Sequence, residues 1–239
     1  MKNKVVVLII TLLIIINTLA GCNNTYQSSA ISNGISNTNI DPSSVIPEPT
    51  QSDKSPMVAY KNVLQGKVPF YCTDAQKELY ISQLNQAVSS DSSVEAKATK
   101  FSIIDLDNDG IAEVILWLSV NSNDYFGFEV LHYQDGEING YTLWYRSFME
   151  LKEDGTFSFS SGASESGYGI IAFTKDGYTI DKITYSEVAI DSDNNETISY
   201  FVNRTSASSE EFQSAVTEQS KKADASWYDF TDENIEKFF

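Results

Sequence analysis

The chain reads as an α+β fold in which a curled antiparallel β-sheet meander carries N- and C-terminal helices on one face. Three observations predict it. Runs of aromatic and β-branched residues recur at short intervals between Phe101 and Val202. Asp-Gly pairs and one Asp-Asn-Asn separate them, which is the chemistry of tight turns joining antiparallel neighbours. Helical periodicity with capping residues flanks that block on both sides.

The elements follow in order. Ser55-Pro56 makes an N-cap and first-turn pair, and Gly66 a stop, so Met57–Gln65 is expected as a short helix with Ala59 and Val63 on one face. Thr73-Asp74-Ala75-Gln76 reads as a capping box opening a second helix, with Tyr80, Leu84, Ala87 and Val88 inward. Strands are expected at 101–104, 114–120, 126–133, 138–145 and 148–151, then at 156–160, 169–173, 178–190 and 197–202. Asp135-Gly136, Asp154-Gly155 and Asp176-Gly177 are hairpin turns, because glycine accepts positive φ; Asp193-Asn194-Asn195 is a fourth. A helix near 209–222 places Phe212 and Val216 inward, and a last one after Thr231 uses Ile235 and Phe238.

Ahead of this domain the composition changes twice. Val5 to Ile16 is aliphatic except for Thr11, preceded by Lys2 and Lys4 and followed by small residues and Cys22. That is the order of an export signal. Twelve residues of helix span about 18 Å, too short for a hydrocarbon core of about 30 Å. Residues 23–55 are rich in Ser, Asn, Thr, Ile and Pro, with no hydrophobic period, and are expected as a disordered tether. Residues 56–239 then form a single globular domain.

Leu19-Ala20-Gly21-Cys22 resembles the lipobox of bacterial lipoprotein signal peptides. The resemblance implies removal of residues 1–21 and diacylation of Cys22, a palmitate-type anchor to the membrane in which two chains hold where one would exchange. Losing Lys2 and Lys4 moves the net charge from −17 to −19. So acidic a surface keeps clear of anionic headgroups and excludes nucleic acid, which needs clustered Lys and Arg. With Cys22 acylated, Cys72 has no disulfide partner and reads as a small packed residue, a nucleophile being the lesser alternative.

One segment carries metal chemistry. Asp105-Leu106-Asp107-Asn108-Asp109-Gly110-Ile111-Ala112-Glu113 sets carboxylates at positions 1, 3, 5 and 9 of a loop, with glycine at 6. Calcium takes about six to eight oxygens, and alternating Asp residues on a tight turn converge them. An EF-hand needs Glu at position 12, which is Leu116 here, and a following helix, where Val114–Leu118 reads as a buried strand. The pattern instead resembles the strand–loop–strand calcium loop of integrin-type FG-GAP propellers. That resemblance implies ligation by Asp105, Asp107, Asp109 and Glu113, with Ile111 through its carbonyl. A structural ion is then expected to clamp the Phe101 strand to the Val114 strand. One copy of the motif does not make a propeller. The alternative is an acidic turn whose aspartates only form Asx-turns.

Other candidates are weaker. Asp191–Glu196 echoes the loop without its glycine and reads as a solvated hairpin. Ser160–Gly167 lacks the Lys-Ser/Thr ending of a phosphate cradle and reads as a long loop. His132 sits on a strand, where it is a packed or surface residue before it is a base, and nothing marks a serine for a triad. Trp117, Tyr141, Trp144, Tyr145 and Trp227 are core residues or an aromatic platform for sugars.

Lipobox, Ser/Asn tether, Asp-x-Asp-x-Asp-Gly-x-x-Glu loop and tyrosine-rich strands together resemble lipoproteins of Gram-positive, clostridia-like bacteria. The resemblance implies anchoring on the outer face of the cytoplasmic membrane and brings no activity; the domain is expected as a monomer. Two functional classes follow: a cell-surface binding or interaction module for a cell-wall glycan or a protein, or a glycan-directed hydrolase with paired carboxylates.

Overall fold

The computed structural model describes residues 55–162, 165–174 and 177–239. The leader, Cys22, nearly all of the tether and Asp176 of one expected turn lie outside them. What is described is mixed α+β, with helices towards both ends and two largely antiparallel sheets between.

Helix α1 (Pro56–Leu64) opens the domain where the Ser-Pro pair places it, with Tyr60, Val63 and Leu64 buried. Strands β1 (Phe70–Cys72) and β2 (Lys77–Leu79) follow as a hairpin. The long helix expected from Thr73 does not form. Its capping side chains are spent across the sheet: the Thr73 hydroxyl and N–H both donate to the Gly140 carbonyl, and Asp74 Oδ2 accepts from Thr142 N at 2.8 Å. Gln76 at φ 52° is also incompatible with a helix. Helical character is confined to a 3-10 turn at Ile81–Gln83 and a single turn, α2 (Asn85–Val88).

Then come β3 (Ala96–Ile104), β4 (Glu113–Val120), β5 (Asn123–Gln134) and β6 (Glu137–Trp144), the expected meander, with the first three strands longer than expected and β6 shifted by one residue. Asp135 and Gly136 both take positive φ at the β5–β6 turn, as a two-residue hairpin requires. Residues 148–151, expected as a strand, follow a 3-10 turn (Tyr145–Ser147) and make one bridge, Met149 to Ser158, while Phe148 and Leu151 anchor in the core. Strands β7 (Phe157–Ser160), β8 (Glu165–Thr174), β9 (Gly177–Ile190), β10 (Glu196–Val202) and β11 (Thr205–Ala207) continue the meander. The loop expected at Ser160–Gly167 is shorter than read, because Glu165–Gly167 belong to β8. A Cβ at Gly167 would lie 2.1 Å from the Thr184 carbonyl, so glycine there permits close strand pairing. Helix α3 (Ser209–Ser220), strand β12 (Tyr228–Asp229) and helix α4 (Asp232–Phe238) close the chain.

The single curled sheet expected from the sequence is split in two. One sheet runs β12-β3-β4-β5-β6-β1-β2 and the other β11-β10-β9-β8-β7. Every pairing is antiparallel except β1 with β6. The split follows from β4, whose two faces are both apolar. Val114, Leu116 and Leu118 enter a core with Tyr60, Leu64 and Ile235 of the terminal helices. Ile115 enters a second core with Phe157 and Ile171 of the other sheet. A strand buried on both faces needs a layer on each side. Helix α3 lies against the second sheet, with Phe212 and Tyr200 at 5.2 Å between ring centres.

Candidate metal centre

The acidic loop is the connection between β3 and β4, and the pairing of Ile104 with Glu113 closes it. Strand leads in and strand leads out, as the sequence implied. Asn108 and Gly110 turn the backbone with φ of 62° and 90°. A Cβ on Gly110 would meet nothing within 4 Å, so conformation alone demands glycine there.

The loop folds on its own carboxylates. Gly110 N donates to Asp105 Oδ2 at 3.0 Å, Asp109 N to Asp107 Oδ1 at 3.2 Å, and Ile111 N to Asp109 Oδ1 at 2.7 Å. These are the Asx-turns of the metal-free alternative, and they leave half the oxygens over. The other Asp105 oxygen, Oδ1, is buried and has no hydrogen-bond partner among the described residues. Such an orphan costs about 1–3 kcal/mol, and more when charged.

Donor atoms of Asp105, Asp107 and Asp109 lie within 4.8 Å of one another, and so do those of Asp107, Glu113 and His132. Asp107 is common to both groups, so the four side chains expected as ligands are contiguous. Ile111, expected to contribute its carbonyl, engages the loop through its N–H. Burial and the neighbouring Asp109 push the Asp107 carboxyl up from its ordinary value. Burial pushes Glu113 up more than its hydrogen bond to His132 pulls it down. Repelling, desolvated carboxylates are the condition a hard cation relieves.

His132 is the member that sequence reasoning missed. It lies on β5, 4 % exposed, with Nδ1 2.9 Å from Glu113 Oε1 and its ring stacked on Phe173 at 4.5 Å. Register across the β4–β5 hairpin was the signal: Val114 pairs Leu131, which sets Glu113 beside His132.

The remaining candidates separate. Asp191 Oδ1 accepts from Asp193 N and Asn195 N while Oδ2 accepts from the Asn195 amide, so the second acidic loop is an exposed, self-satisfied hairpin. Cys72 is fully buried in the first core, and burial pushes its thiol up to about 12, the reverse of what a nucleophile needs. Of the five aromatics, Trp117, Tyr145 and Trp227 converge beside a cleft of about 350 Å³. Tyr141 is buried against Phe173, and Trp144, 59 % exposed, packs with Phe126. No family model, curated protein or solved structure matches the chain.

Proposed function

We propose that the protein is a lipoprotein anchored through Cys22 on the outer face of the cytoplasmic membrane, its domain a binding or interaction module held in shape by one calcium ion. Asp105 Oδ1 carries the metal assignment: a buried carboxylate oxygen without a partner, beside two more carboxylates within 4.8 Å. Asp105, Asp107, Asp109 and Glu113 would hold the ion, and Ile111 would add its backbone carbonyl. The ion would neutralise charge that the fold otherwise leaves in repulsion. Extracellular calcium modules bind at roughly 10⁻⁴ to 10⁻³ M, which suits an exported domain. The address rests on Leu19-Ala20-Gly21-Cys22 behind the apolar segment.

Binding is favoured over hydrolysis by where the perturbed acids lie. Asp107, Glu113 and Glu129 have carboxyls pushed up from their ordinary value. None of the three lines the larger clefts, where a general acid would have to stand. Expression of the full chain in a lipoprotein-processing bacterium tests the address. The mature chain is expected in the membrane fraction with a diacylglyceryl mass on Cys22, and Cys22→Ser should release it. An unacylated chain in the cytosol would overturn the proposal.

A further inference from the structure

The β1–β6 ladder, the one parallel pairing, covers Tyr71 with Asn139 and Cys72 with Gly140. It stops where Pro69 offers no N–H to extend it. Beyond that point a cleft of about 630 Å³ opens between Val68-Pro69 and the Gly136–Ile138 end of β6, with Ala59 and Val63 of α1 behind. Its polar lining comes from separate elements: Asn62 on α1, Gln76 and Glu78 on the β1–β2 hairpin, Glu137 and Asn139 on β6. None of these five side chains is tied up by a hydrogen bond among the described residues. Glu78, Tyr71 and Asn139 stand at one register position across β2, β1 and β6, hence on one face of the sheet. Tyr71, 41 % exposed, is the aromatic of that row.

We propose that this cleft is the ligand site of the module and that it takes a neutral, hydroxyl-rich ligand of the saccharide class; the inference rests on the binding-module reading and adds its place and chemistry. Sugar hydroxyls both donate and accept, and three free amides offer both functions. The two carboxylates accept from hydroxyls, while Tyr71 offers an apolar ring face to the C–H surface of a sugar. No Lys, Arg or His lines the cleft, so an anionic ligand would enter against two like charges on a chain of net −17. A cation would use the two carboxylates and the amide oxygens and leave the amide N–H donors idle. A ligand site of typical size, about 300–1,000 Å³, accommodates such a molecule.

The test is calorimetric titration of the full-length chain, in a non-glycosidic detergent, with chitotetraose, cellotetraose, maltotetraose and xylotetraose, and with spermidine as the cationic probe. A neutral oligosaccharide should bind, with little change in about 0.5 M sodium chloride. Tyr71→Ala and Asn139→Ala should each weaken it about tenfold or more without lowering the melting temperature. Saccharide binding that both variants retain would overturn the cleft and leave the binding module standing. Binding of spermidine alone, or of no saccharide, would overturn the ligand class. New reducing ends released from a bound probe would instead overturn the binding-module reading in favour of the hydrolase.

Discussion

Glu113 Oε1 lies 2.9 Å from His132 Nδ1, with both side chains buried, and Glu113 Oε2 accepts the N–H of Leu106 at 2.7 Å. One carboxylate thus ties β4 to β5 and to the second residue of the acidic loop. His132→Ala would leave a buried carboxylate oxygen without its donor. The expected cost is about 1–3 kcal/mol in urea unfolding. His132→Gln, whose amide can still donate, should recover part of it. Equal losses from the two variants would mean that packing on Phe173, not the hydrogen bond, is what His132 supplies.

Gly155, at φ 78°, backs directly onto the loop: a Cβ there would sit 2.8 Å from the Asp105 carbonyl and 3.3 Å from Leu106 Cα. Both neighbours are backbone and cannot swing aside. Gly155→Ala should therefore cost more than the strain of its conformation, which is about 1–2 kcal/mol, and should weaken calcium binding by displacing Asp105. Gly110→Ala meets open space and should show the strain alone. Urea midpoints that fall equally for the two variants would remove the link between this turn and the loop.

Glu129 is fully buried, and burial pushes its carboxyl up to about 8, against the hydrogen bond from Thr142 and with a further push from Asp74. Its Oε1 has no partner among the described residues. The folded state thus holds a proton that the unfolded chain releases near 4.5. This contribution to stability is fully present below pH 4.5 and is lost as pH rises towards about 8, at up to about 1.4 kcal/mol per unit. Glu129→Gln should abolish that part of the slope. Denaturant titrations with superimposable pH dependence for wild type and variant would show that Glu129 is ionised in the fold.

Cys72 should resist thiol reagents in the folded protein and react once urea unfolds it, because its side chain is buried and its thiol is held protonated. Labelling of native protein at the rate of a free peptide thiol would contradict the position of β1 in the core.

Much of the fold could be read from local patterns. The Asp135-Gly136 turn and the strands around it needed only alternation and turn chemistry. What could not be read depended on distant partners. Thr73 and Asp74 look like helix caps until Gly140 and Thr142 arrive from 67 and 68 residues away to use them. The division into two sheets was implicit in Val114–Leu118, a run too apolar for one buried face, yet nothing local names the second layer. The acidic loop was legible because its chemistry is contiguous in sequence. His132 was not, since only strand register brings it to Glu113.

Thermal unfolding of wild type and Asp105→Asn, each in excess calcium and in EDTA, addresses the metal assignment most directly. Calcium at a hundred times its dissociation constant stabilises by about 2.7 kcal/mol, and about 1 kcal/mol moves the midpoint of a domain this size by about 2–4 °C. The wild type should therefore melt several degrees higher in calcium than in EDTA. Asp105→Asn, which can keep the Gly110 hydrogen bond but loses the charge, should lose most of that difference. A wild-type midpoint that is the same in calcium and in EDTA would contradict the calcium loop outright.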